Sequence, residues 1–146
     1  MNQFRIDKVI NNLNATKRVL PVKLANQAVN HFSANFDKQG FEGNQWQQVK
    51  RRIPDTPEYK YPKRKGLSRR TKPILIGTGR LRRAVAASKQ MVSFSLIKLV
   101  VDLPYAARHN DGLDNMPERT YMRDSVQLRA KQKELIEKEI DNIWQV

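Results

Sequence analysis

Apolar residues recur at spacings of three, four and seven near the start of the chain, at Ile6, Val9, Ile10, Leu13 and Leu20. That period is helical. It resumes from Val22 to about Asp37, where Ala25, Ala28, Val29, Phe32 and Phe36 share one stripe. Pro21 lies between the two runs. Proline interrupts a helix that continues through it but suits the first turn of a new one, so the pattern allows one kinked helix or two. Gly40 reads as the stop signal. From Phe41 to Pro73 no period holds, and Pro54, Pro57, Pro62 and Gly66 predict a long irregular loop, with Trp46 pinning its near end to the core. A loop of this length inside a compact domain is usually functional, or ordered only on binding.

Beyond the loop, Thr78 is the expected N-cap of a short helix beginning near Gly79, with Leu81, Ala84 and Val85 facing inward. Strand character follows from Met91 to Leu103, rich in β-branched and large apolar residues. Ile97, Leu99, Val101 and Leu103 point one way, and Phe94, Leu96 and Val100 the other. Apolar residues on both faces predict a strand covered on both sides, by helices or by a neighbouring subunit. A partner strand over Ala86 to Val92 would complete a hairpin, although the connection lacks Asn-Gly or Asp-Gly. Pro104 ends the strand, and Asp124 or Ser125 caps a last helix whose stripe is Leu128, Leu135, Ile136, Ile140, Ile143 and Trp144. The expected fold is α+β: a small antiparallel sheet flanked by a long N-terminal helical segment and a C-terminal helix, with a long basic loop. Its expected buried anchors are Phe36, Trp46, Leu81 and Tyr105.

The 146 residues suffice for one domain with a real core, so residues 1–146 are expected to form a single domain. With 39% hydrophobic and 29% charged residues, that domain should be thin and rich in solvated or partner-facing surface. The chain has no cysteine, which excludes disulfides and thiolate zinc sites. No apolar run reaches the ~18 residues of a membrane span, and Met1–Lys8 is amphipathic, unlike a signal segment. The expectation is a soluble protein made and used in a cytoplasm.

Charge changes the picture most. The net charge is +14, and 23 positions from Lys50 to Lys72 hold ten basic residues against Asp55 and Glu58. The ten are Lys50, Arg51, Arg52, Lys60, Lys63, Arg64, Lys65, Arg69, Arg70 and Lys72, with Tyr59 and Tyr61 interleaved. Such a segment is a candidate polyanion contact, for phosphates of a nucleic acid or for acidic patches of a partner protein, and composition leaves both open. Arg80, Arg82 and Arg83 add a basic patch at a helix start, where a phosphate or carboxylate would be favoured. Gly77-Thr78-Gly79 lacks the Lys-Ser/Thr of a phosphate loop and reads as a tight turn. His31 and His109 are the only histidines, too few for a metal site without cysteine, and His109 with Asp111 has no nucleophile beside it. No catalytic, metal-binding or cofactor-binding residue is expected, and no enzymatic activity.

Several blocks stand in a fixed order: Asn35–Phe41, Trp46, Leu75–Arg83, Pro104-Tyr105-Ala106, His109–Gly112 and Pro117–Ser125. On these blocks the chain resembles the phage virion morphogenesis (tail-completion) family, small neck proteins of tailed bacteriophages. The Thr78-Gly79-Arg80-Leu81 and Tyr105-Ala106-x-x-His109-Asn110-x-Gly112 blocks are its more specific parts. The resemblance implies a structural virion protein without catalytic residues, acting in tail completion or head–tail joining as a ring, six subunits by analogy. Its implied partners are copies of itself, other neck, connector or tail proteins, and DNA in the ring lumen. Membrane association is not implied, and the implied location is the virion, after assembly in the host cytoplasm. The chain departs from the family in its basic Lys50–Lys72 stretch and its short Asn110–Pro117 segment. We expect that stretch to be an assembly arm, flexible in the free subunit and ordered on an acidic neighbour or DNA. The competing expectation, from charge alone, is a sequence-independent nucleic-acid-binding module.

Overall fold

A computed structural model describes residues 3–61 and 68–145, apart from the side chains of Gln3, Phe4, Ser68 and Arg69. The fold is α+β. It begins with one long helix, α1 (Gln3–Lys38), which carries Pro21 inside it. Pro21 cannot donate to the carbonyl one turn back. The helix nevertheless continues, because Leu20, Ala25, Ala28 and Val29 on either side of the proline are buried. Gln39 (φ +50°) ends it in the left-handed region, so Gly40 is not the stop residue. Gly40 instead starts a small hairpin, β1 (Gly40–Phe41) against β2 (Asn44–Gln45). A Cβ there would lie 2.4 Å from the Asn44 carbonyl oxygen, which is why the position is glycine. Glu42 and Gly43, both at positive φ, form the two-residue turn.

The segment expected to be an irregular loop is structured where it is described. It contains a 3-10 turn over Lys50–Arg52 and two single-turn helices, α2 (Pro57–Lys60) and α3 (Ser68–Thr71). Thr56 caps α2 by accepting from the Tyr59 amide, and Pro57 occupies the first helical position, where its missing N–H costs nothing. Pro62 and Gly66 lie outside the described residues. Next comes α4 (Arg80–Ala86), capped by Gly79 at φ +75° and not by Thr78, whose hydroxyl accepts only a 3.4 Å bond from the Arg80 amide.

The apolar Met91–Leu103 run is not one strand. It supplies the second half of β3 (Lys89–Val92), a turn, and β4 (Ile97–Leu99), paired antiparallel with a bulge between Lys89 and Met91. Ser93 makes the turn in place of Asn-Gly: its amide donates to the Leu96 carbonyl (2.8 Å) and its hydroxyl accepts from the Leu96 amide (3.1 Å). The hairpin partner expected over Ala86–Val92 is therefore present. Then follow α5 (Ala106–Asp111), ended by Gly112 at φ +67°, and α6 (Val126–Trp144), whose N-cap Ser125 accepts from the Leu128 amide.

The chain divides into two compact units, each assembled from separated segments. The first takes α1 up to His31, the β3–β4 hairpin and α6. Within it, Asn12 donates to the Ile143 carbonyl, Gln27 to the Lys131 carbonyl, and His31 bonds Ser125 (3.0 Å). As the α1 numbers rise the α6 numbers fall, so the two helices run antiparallel. Lys23 pairs with Glu139, which is buried, and the apolar core is Leu20, Ala25, Ala28, Val29, Leu128 and Ile143. The second unit takes Phe32–Ala87 and Val101–Arg123. Its centre is Phe36, fully buried, edge-on to Trp46 (5.8 Å, 78°) and tilted against Tyr121 (5.4 Å, 38°). Ile74, Leu81, Val85 and Ala106 complete that core.

Candidate interaction surfaces

The motif blocks of the second unit meet around one extended segment, Arg119–Met122, which belongs to no helix or sheet. A buried segment without a ladder must satisfy its backbone with side chains. Asn110 Oδ1 accepts from both the Tyr121 and Met122 amides at 3.0 Å. Asn35 donates to the Tyr121 carbonyl (2.9 Å) and Trp46 Nε1 to the Thr120 carbonyl (2.7 Å). The Arg119 amide donates to the His109 carbonyl (2.8 Å), Arg119 Nε to the Gln47 carbonyl (3.0 Å), and the Tyr121 hydroxyl to the Ala106 carbonyl (3.1 Å). These residues hold backbone together. Burial, then Asp111 and Tyr105, pushes the Tyr121 phenol up to about 12. Burial, then the Arg119 guanidinium, lowers the affinity of the His109 imidazole for a proton.

Of the expected anchors, Phe36, Trp46 and Leu81 are buried, while Tyr105 is only half-buried. Tyr121 joins Trp46 in packing on Phe36, with Asn35 and Asn110 bonded to its backbone. Tyr105 stands at the start of α5 and packs edge-on against His109. Spacing alone gave no reason to prefer Tyr121 or to assign Asn110 a structural role.

The basic segment was expected to be an assembly arm; where it is described, its arginines bond the protein's own groups. Arg51 donates to the Lys72 and Pro73 carbonyls, and Arg52 to Gln39 Oε1, which also accepts from the Ile74 amide. Arg70 donates to the Tyr59 carbonyl and lies 4.4 Å over the Tyr59 ring. Lys60 pairs with Asp55 and Lys50 with Glu58, while Lys72 donates to the Gly77 carbonyl. A guanidinium has five donors and no acceptor, so it stitches loop carbonyls that no ladder satisfies. Lys63, Arg64 and Lys65 lie outside the described residues, as does the Arg69 side chain. At the start of α4, Arg82 pairs with Asp37 (2.8 Å) and Arg83 donates back to the Thr78 carbonyl, leaving Arg80 exposed. Of the expected patch of three, the Arg80 side chain alone has no partner among the described residues.

The first unit exposes apolar side chains in two places. One is the hairpin, where Met91 is paired with Lys98 across the strands and Phe94 sits in the turn; Met91, Phe94 and Leu96 are 50%, 65% and 49% exposed. The opposite face, with Ile97 and Leu99, is half-buried, so within the chain the cover expected on both sides of this stretch is present on one. The other place is the far end of the α1–α6 pair, with Ile6, Ile10 and Leu13 on α1 and Ile140 and Trp144 on α6, Trp144 being 67% exposed. Lys89 donates to Asn26 Oδ1, so the hairpin base lies against α1 at that residue. Between Leu13 and Asn26 a helix rises roughly 20 Å.

Among the described residues no group of three or more His, Asp or Glu could hold a metal ion, and no helix is long and apolar enough to cross a membrane. Compared with models of known protein families, with characterised proteins and with solved structures, the chain finds no match.

Proposed function

We propose that this chain is a structural protein of the phage neck, acting in tail completion or head–tail joining as a closed ring of copies. The observation that carries the reading is the exposed apolar side chains on two parts of one unit, the β3–β4 hairpin and the end of the α1–α6 pair. A ring needs two different surfaces per subunit, each meeting the other on the next copy, and a monomer rarely leaves two such patches uncovered. The resemblance of the Thr78–Leu81 and Tyr105–Gly112 blocks to tail-completion proteins supplies the biological setting. The basic Lys50–Lys72 surface would then contact an acidic neighbour or DNA in the lumen. A free-standing nucleic-acid-binding module is less well supported, because Arg51, Arg52, Arg70, Arg82 and Arg83 are already engaged by the protein's own groups. Antibody labelling of phage particles tests the setting: label at the head–tail joint supports it, and particles that lack the protein contradict it.

A further inference from the structure

We infer that the second unit holds a site for a small free oxyanion of the phosphate class, centred on the Arg119 guanidinium. Arg119 is only 5% exposed. A buried cation ordinarily sits against a carboxylate, because the cost of leaving water is recovered only from an opposite charge. Among the described residues Arg119 forms no ion pair. The carboxylates near it in sequence are committed elsewhere. Glu118 accepts from the Thr120 hydroxyl (3.0 Å) and pairs with Arg123 (2.8 Å), while Asp111 accepts from Asn110 (2.8 Å) and from Arg123 (3.3 Å).

Arg119 is fixed by its own amide on the His109 carbonyl (2.8 Å) and by Nε on the Gln47 carbonyl (3.0 Å). Holding Gln47 uses one of the five guanidinium donors. The N–H groups of Nη1 and Nη2 have no partner among the described residues, yet neither nitrogen is sealed from solvent. They form the end-on fork that an oxyanion takes with two parallel bonds. So small an exposure also selects the ligand. A phosphodiester inside a strand is flanked by sugars on both sides and is excluded from a side chain this buried, whereas free phosphate is compact enough to enter. The surroundings are positive. Burial, then the charge of Arg51, lowers the proton affinity of Arg119, and Arg51 lies four residues after Gln47 in the 3-10 turn. Arg119 in turn adds to burial in weakening the His109 imidazole as a base. An anion at the fork relieves both repulsions, and the positive field favours doubly charged phosphate over a singly charged carboxylate.

With only two histidines in the chain, His109 is a convenient reporter. Inorganic phosphate is titrated into the full chain near neutral pH, at an ionic strength held constant with sodium chloride, and the imidazole signals are followed by NMR. The expected result is a saturable shift of the His109 signals and a rise in its proton affinity, because the anion offsets the Arg119 charge, together with a higher melting temperature. Acetate should bind more weakly. Arg119→Lys keeps the charge and loses the fork, and should weaken phosphate binding by roughly tenfold or more. Arg51→Gln should weaken it by a smaller factor, and serves as the test if Arg119→Lys fails to fold. The inference is overturned if phosphate moves His109 no more than sodium chloride does, or if acetate binds as tightly. It is equally overturned if the folded variants bind phosphate as the unaltered protein does, which would place the anion elsewhere on the basic surface. None of these outcomes depends on ring formation.

Discussion

Replacing Trp46 by alanine isolates what holds the second unit together. The side chain is buried, stacked edge-on to Phe36, and its Nε1 donates to the Thr120 carbonyl at 2.7 Å. Truncating a buried tryptophan costs roughly 3–5 kcal/mol from lost transfer energy and the residual cavity. The severed bond adds to this, because the Thr120 carbonyl belongs to a segment with no ladder to replace it. Trp46→Phe separates the two contributions: it keeps most of the ring contact and should cost only about 1–2 kcal/mol, the worth of one buried hydrogen bond and its orphaned acceptor. For a domain of this size each kcal/mol lowers the melting temperature by about 2–4 °C, so Trp46→Ala should melt some ~6–20 °C lower. Urea unfolding followed by far-UV circular dichroism reads both. A loss below about 1 kcal/mol for Trp46→Ala, with an unchanged urea slope, would refute the reasoning.

Asn110→Ala should cost roughly 2–4 kcal/mol, since it strands the Tyr121 and Met122 amides together; Asn110→Asp, which keeps an acceptor, should lose less in the same urea titration. His109 binds its proton more weakly in the fold than its ordinary value of 6.5, so the unfolded chain protonates first as pH falls. Stability should therefore hold above about pH 6.5 and decline below it, and His109→Gln should flatten that part of a melting-temperature profile. Arg52→Glu should destabilise the isolated protein by about 1–2 kcal/mol, because Gln39 Oε1 loses its guanidinium donor; an unchanged melt would return the basic segment to the status of a free arm.

Regular periodicity made the two long helices legible, while the short α2, α3 and α5 were not foreseen. The 3.6-residue rows of α1 and α6 follow from spacing, cap chemistry narrowed the α6 cap to Asp124 or Ser125, of which it is Ser125, and Pro21 left open whether α1 was one helix or two. The hairpin was legible in type but not in extent, because the apolar Met91–Leu103 run hides a serine-made turn. Two things lay beyond local pattern. In the described parts of the Lys50–Lys72 segment, arginines donate to carbonyls such as Lys72, Pro73 and Tyr59, contacts with no periodic signature. The Arg119–Met122 segment is held by Asn35, Trp46 and Asn110, residues distant in sequence whose block-wise spacing signals importance without assigning a role. Exposure of Phe94 and Trp144 was equally hidden, since an apolar row reads as core until the packing around it is seen.

The central claim is assembly through two different apolar surfaces of one subunit. Native mass spectrometry of the purified protein over a range of concentrations tests it most directly. The account predicts a single closed species of fixed subunit number, lost in Phe94→Asp and in Ile10→Asp. A monomer throughout, or a dimer as the end point that survives both substitutions, would contradict it.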